Sequence, residues 1–128
     1  MKLAVLGAGK PPHGKRPTAS EQLLAGITPV KRTMSVVGAD PAATQIVAGY
    51  EHEEIQRKFP DVLLRHNLDW ETSGSVESFF QLDLNGVEPL FITYSDIVFS
   101  RRLVDNLVAV DADAVIGWDS RFLSKHVT

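Results

Sequence analysis

The first twenty residues, MKLAVLGAGKPPHGKRPTAS, constrain this chain more than any other stretch. Leu3, Ala4, Val5 and Leu6 form a short apolar run without polar alternation, the pattern of a strand covered on both faces. Gly7, Ala8 and Gly9 follow at once. Glycines at the carboxyl end of a strand let a ligand come close to backbone N–H groups, because no Cβ blocks the approach. Lys10, His13, Lys15 and Arg16 then put positive charge beside the loop. A glycine loop flanked by cations suits a phosphate chain. A tight strand-to-loop turn with solvated lysines accounts for the same residues, and this stretch alone leaves both readings open.

Two familiar glycine motifs are excluded. The dinucleotide fingerprint G-x-G-x-x-G needs a third glycine where Pro12 stands. The Walker pattern needs Gly-Lys-Ser/Thr opening a helix, whereas Gly14 and Lys15 are followed by Arg16 and Pro17. Pro11, Pro12 and Pro17 also forbid a helix directly after Gly9, so the loop must run extended before any helix begins.

Beyond the loop, short apolar runs alternate with helical patterns. Ser20 caps a predicted helix at 21–25 that Gly26 stops, residues 28–32 read as irregular around Pro29, and 33–37 reads as a short helix. A second buried strand is expected at 44–48, TQIVA, and an amphipathic helix at 51–59 on the Ile55 and Phe59 spacing. Pro60 ends that helix; 61–65 reads as a third strand and 66–72 as a loop. Ser73 or Ser75 caps a helix through about residue 82. Residues 89–94, PLFITY, predict a fourth strand, 100–110 a helix, and 114–117 a fifth strand. This alternation predicts an α/β fold over a single domain, residues 1–128: a Rossmann-like three-layer αβα sandwich with a mostly parallel sheet.

At 128 residues the chain is long enough for a real core. The net charge of −3 does not favour general nucleic-acid binding. There are no cysteines, which excludes disulfides, thiolate metal sites and cysteine nucleophiles, and fits a cytoplasmic protein. No apolar run approaches the roughly 18 residues of a membrane span, and the amino terminus lacks a signal-peptide pattern.

In a parallel sheet the ligand crevice lies at the carboxyl ends of the strands. Those ends are expected at residues 7–9, at Gly49 and Tyr50, at Asn67, at Ser95 and Asp96, and at Trp118 and Asp119. Asp96 closes an otherwise apolar strand, where a carboxylate either caps the following turn or binds magnesium for a phosphate ligand. The four histidines, at 13, 52, 66 and 126, have no metal-ligand spacing, and His52 is expected on an exposed helix face.

Read in order, LGAGKP, VAGYEHEEI, RHNLDWETSGSVESFF, FITYSDIVF and VIGWDSRF resemble the nucleotide-binding half of the sugar-phosphate nucleotidyltransferases of GT-A-like fold. The nearest branch makes CDP-activated phosphocholine or phosphonate head groups. The resemblance covers nearly the whole chain, although each motif is short. It implies that Leu6, Gly7, Ala8, Gly9, Lys10, Gly49, Tyr50, Thr72, Gly74 and Ser75 hold the nucleotide. It implies Asp96 as the Mg²⁺ ligand, with Lys15, Arg16 and Lys31 as the cations acting on the phosphates. The implied partners are CTP and a small phosphorylated or phosphonate acceptor. The implied reaction is nucleotidyl transfer with loss of pyrophosphate. A relative that holds nucleotide without turnover is the alternative.

The chain also departs from that family. The expected Gly-x-Gly-x-Arg-Leu loop is KPPHGKRPTAS here, and the family's Pro-Lys falls near Glu21 and Gln22, so that Lys31 or Arg32 must serve instead. The family's acceptor-binding half and second metal carboxylate lie beyond the fifth predicted strand. The expectation is therefore a fragment, a truncated relative or one chain of an assembly. Trp118, Phe122 and Leu123 are expected to form an apolar patch for self-association.

Overall fold

The computed structural model describes residues 1–10, 26–86 and 88–117. The chain divides into two compact units, Met1–Val98 and Phe99–Thr128.

The first unit is built on four strands: β1 (Lys2–Gly7), β2 (Thr44–Ala48), β3 (Leu63–His66) and β4 (Leu90–Tyr94). They pair in the order β3-β2-β1-β4, and every pairing is parallel. The two central strands are the two most apolar runs, as burial on both faces requires. Leu3, Ala4, Val5 and Leu6 are all buried, and so is every residue of β2. The edge strands β3 and β4 are only partly covered.

Register divides the sheet into two faces, because paired residues share a face and neighbours along a strand alternate. Ala4 and Leu6 stand opposite Gln45 and Val47. Onto that face pack Leu82 and Phe79, the latter from α3 (Ser75–Phe80). The amide of Gln45 seals the same face. Its Nε2 donates to the Asp83 carbonyl at 2.9 Å, and its Oε1 accepts from the Asp83 N–H at 2.8 Å. The right-handed crossover rule directs α1 (Pro29–Val37) and α2 (His52–Lys58) to the other face, where Leu3, Val5 and Ile46 point. The result is an all-parallel α/β sheet flanked by helices, compatible with a Rossmann-like fold. The chain steps outward from β1 to β2 to β3, then returns across the sheet to β4. The order therefore reverses between β1 and β4, which makes their carboxyl ends the topological switch point.

Several elements differ from the sequence reading, each for a local reason. Residues 29–32 are helical, so α1 is nine residues long rather than a short helix from 33. Pro29 starts it at the one position where a missing N–H costs nothing. Thr28 caps it by accepting from the Lys31 N–H at 3.3 Å, and left-handed Gly38 closes it on the Met34 carbonyl. α3 is shorter than expected and begins behind Gly74; the Ser73 hydroxyl accepts from Asn67 and does not cap the helix. The expected helix at 21–25 lies outside the described residues.

In the second unit, α4 (Arg101–Val108) is capped by Ser100, whose Oγ accepts from the Leu103 N–H at 3.3 Å. The expected fifth strand at 114–117 is not formed. An apolar run becomes a strand only against a hydrogen-bonding neighbour; here none pairs with it among the described residues, and Ile116 is 89% exposed. Instead, Gly117 runs beside Leu103 and Leu107 of α4; a Cβ there would stand 3.6 Å from a Leu107 methyl. Trp118, Asp119, Phe122 and Leu123 lie outside the described residues.

Candidate functional site at the carboxyl edge of the sheet

Backbone hydrogen bonds continue the ladder past the strand ends and hold the four exit loops side by side. The Ser95 N–H donates to Leu6 O at 3.0 Å, the Tyr50 N–H to Ala8 O at 3.1 Å, and the Asn67 N–H to Ala48 O at 2.9 Å. Along the edge the order is therefore Ser95 and Asp96, then residues 7–9, then Gly49 and Tyr50, then Asn67. Each step is one strand spacing, about 4.8 Å.

At the switch point, Gly7 is the last residue of β1, opposite Ala48, and Leu6 is buried within the sheet with its carbonyl taken by Ser95. Ala8 is buried, and Gly9 and Lys10 are exposed. A Cβ on Gly9 would meet nothing within 4 Å among the described residues. Asp96 is exposed in the turn after β4, next to Ser95 and hence beside residues 7 and 8. Among the described residues no group of three His, Asp or Glu side chains is arranged to hold a metal ion. Lys31 is exposed in the first turns of α1. A crossover helix runs antiparallel to its strands, so that end of α1 faces the carboxyl edge. Lys15 and Arg16 lie outside the described residues.

On the β2 and β3 side the edge is made of interlocked side chains. Asn67 is 1% exposed. Its Nδ2 donates to Ser73 Oγ and Ser78 Oγ, both at 3.1 Å, and its Oδ1 accepts from the Asp69 N–H at 3.0 Å. One buried amide thus ties the loop at 67–73 to α3. That loop presents Trp70, which lies against Gly49 so closely that a Cβ on Gly49 would collide with the Trp70 side chain, 2.7 Å from its Cδ1. Only glycine fits beneath this indole. The Tyr50 and Trp70 rings meet edge to face, centroids 5.5 Å apart at 66°, and both are half-buried. The Lys10 ammonium stands 5.9 Å from the centre of the Tyr50 ring. Lys10, Tyr50 and Gly49, named separately in the sequence, are brought together here; Thr72, Gly74 and Ser75 are exposed on the loop into α3.

His52 is not on an open helix face. It starts α2 and stacks on His66 at the end of β3, ring centres 3.8 Å apart and 20° from parallel. Burial, and then the neighbouring His52, hold the His66 imidazole below its ordinary pKa. Between these elements Glu51 takes a left-handed backbone, φ 54°, which lets the chain turn from Tyr50 into α2 within one residue.

Trp70 is the aromatic of the RHNLDWETSGSVESFF motif, but the sequence reading gives it no place among the nucleotide-holding residues. An aromatic in a polar loop has no periodicity to mark it, and its partner Gly49 is distant in sequence. Among the described residues no helix is long and apolar enough to cross a membrane. No protein-family model and no curated protein matches this chain.

Proposed function

We propose that this chain binds a nucleoside triphosphate along the carboxyl edge of its sheet, with the phosphates at residues 7–9 and Asp96. The observation that carries the reading is the pairing of Ser95 with Leu6, which sets a glycine loop and a carboxylate side by side at the switch point of a parallel sheet. The sequence resemblance extends it to a three-layer GT-A-like domain. In that extension the domain transfers the CMP group of CTP to a small phosphorylated or phosphonate acceptor.

Asp96 repels a phosphate chain unless a cation intervenes. A single exposed oxygen donor suits Mg²⁺, which keeps most of its waters and is carried by the substrate phosphates, and does not suit an all-protein cage. Bound there, Mg²⁺ would neutralise charge on the phosphates. The chain's own share is positioning. Backbone N–H groups at 8–10 hold phosphate oxygens, and Lys10, with Lys15, Arg16 and Lys31, offsets their charge. An acceptor oxygen attacks the α-phosphorus in line; the bond to the bridging oxygen breaks and pyrophosphate leaves with that electron pair. No covalent nucleophile from the protein is required.

Calorimetry with CTP and Mg²⁺ tests the binding, and a pyrophosphate assay with phosphocholine or a small phosphonate tests the transfer. Absence of CTP binding by the folded chain overturns the reading. Binding without pyrophosphate release decides for a nucleotide-holding relative.

A further inference from the structure

We infer that Tyr50 and Trp70 form the wall on which the base of the bound nucleotide stacks. The inference rests on the nucleotide-binding reading above. With phosphates at the β1–β4 switch point, the nucleoside can extend along the carboxyl edge only past β4 or over β2 and β3. In the second direction the next side chains are Tyr50, tied to Ala8 by its N–H, and then Trp70.

Three features mark this pair as a built surface rather than a stray contact. The Trp70 side chain is seated on Gly49, where any other residue would displace it. Its loop is pinned by the three hydrogen bonds of buried Asn67. Both rings nevertheless stay half-exposed, so their apolar area is held in place without being used up by the core. A surface fixed in advance binds without an ordering cost.

Lys10 chooses the kind of ligand. Its ammonium already stands 5.9 Å from the Tyr50 ring centre, so a second cation at this wall would be repelled. A neutral, flat base stacks there, and the same ammonium lies on the path from base to phosphates. Stacking grips any base, so the wall supplies affinity for the nucleoside part and leaves the choice of base to other contacts.

The test compares CTP with inorganic tripolyphosphate, each with Mg²⁺, by calorimetry on the wild-type chain, Trp70→Leu and Trp70→Phe. The expected result is a wild-type preference for CTP that falls roughly tenfold or more in Trp70→Leu and is largely kept in Trp70→Phe, with tripolyphosphate affinity unchanged throughout. An unchanged preference in Trp70→Leu overturns the inference and leaves phosphate binding standing. Failure of the wild type to bind either ligand overturns the nucleotide reading itself. If Trp70→Leu does not fold, Trp118→Phe leaves Trp70 as the single indole of a chain with two tryptophans. CTP then quenches its fluorescence and tripolyphosphate does not; an equal response to both overturns the inference.

Discussion

On the β1–β4 side of the carboxyl edge the chain offers backbone and one exposed carboxylate; on the β2–β3 side it offers side chains locked into one another. A Cβ would fit at Gly9 without touching any described residue, whereas at Gly49 it would strike Trp70. Asp96 is exposed, whereas Asn67 is fully buried and makes three hydrogen bonds. The two glycines therefore serve different ends. Gly49 is required by packing inside the protein. Among the described residues nothing stands within 4 Å of a Cβ at Gly9. One side of the edge is a scaffold; the other is the part that scaffold supports.

The largest expected effect breaks the scaffold. Asn67→Ala strands the Asp69 N–H and the hydroxyls of Ser73 and Ser78, at a cost of about 1–3 kcal/mol plus the cavity left behind. A urea midpoint equal to wild type would show that the buried amide does not hold the loop. The glycine comparison is sharpened by a matched pair. Gly49→Ala is expected to lose about 1–3 kcal/mol by overpacking against Trp70, while Gly9→Ala leaves the urea midpoint nearly unchanged. Equal losses from the two would erase the distinction.

The smallest effect concerns pH. The His66 imidazole is held below its ordinary value, so the unfolded chain takes up its proton first on acidification. Its contribution to stability is therefore complete above its unfolded value, about 6.5, and is lost as pH falls through the lowered folded value. The wild type should lose melting temperature between pH 7 and pH 5 more steeply than His66→Phe, which keeps a ring against His52 without a titrating nitrogen. Parallel curves for the two proteins would contradict the stacked pair as a source of pH dependence.

The same division explains what could be read from sequence. The strands β1 and β2 were legible because a run such as TQIVA, buried at every position, has no other comfortable place in a small α/β unit. The sequence sends Asp96 to the carboxyl edge, since it follows an apolar strand of a parallel sheet; its place beside residues 7 and 8 comes from the pairing of β4 with β1. The locked side was illegible because the contacts that decide it join residues separated in the chain, Gly49 with Trp70 and His52 with His66. Pro29 misled for a different reason: proline is punctuation inside a helix but a good first residue. The run at 114–117 misled because apolar composition cannot say whether a neighbouring strand is there to pair with.

Asp96 is the most direct probe of the proposed phosphate site on the exposed side of the edge. Calorimetry of CTP with Mg²⁺ on Asp96→Asn, beside a melting curve of the same protein, separates the two roles open to this carboxylate. A phosphate-and-Mg²⁺ role predicts a Mg²⁺-dependent nucleotide affinity at least tenfold weaker, with the melting temperature nearly unchanged, since Asp96 is exposed and its loss removes a charge rather than a packing contact. A turn-capping role predicts the reverse: unchanged affinity, and a lowered melting temperature from the loss of about 1 kcal/mol. That second result would contradict the placement of the phosphates at the β1–β4 switch point.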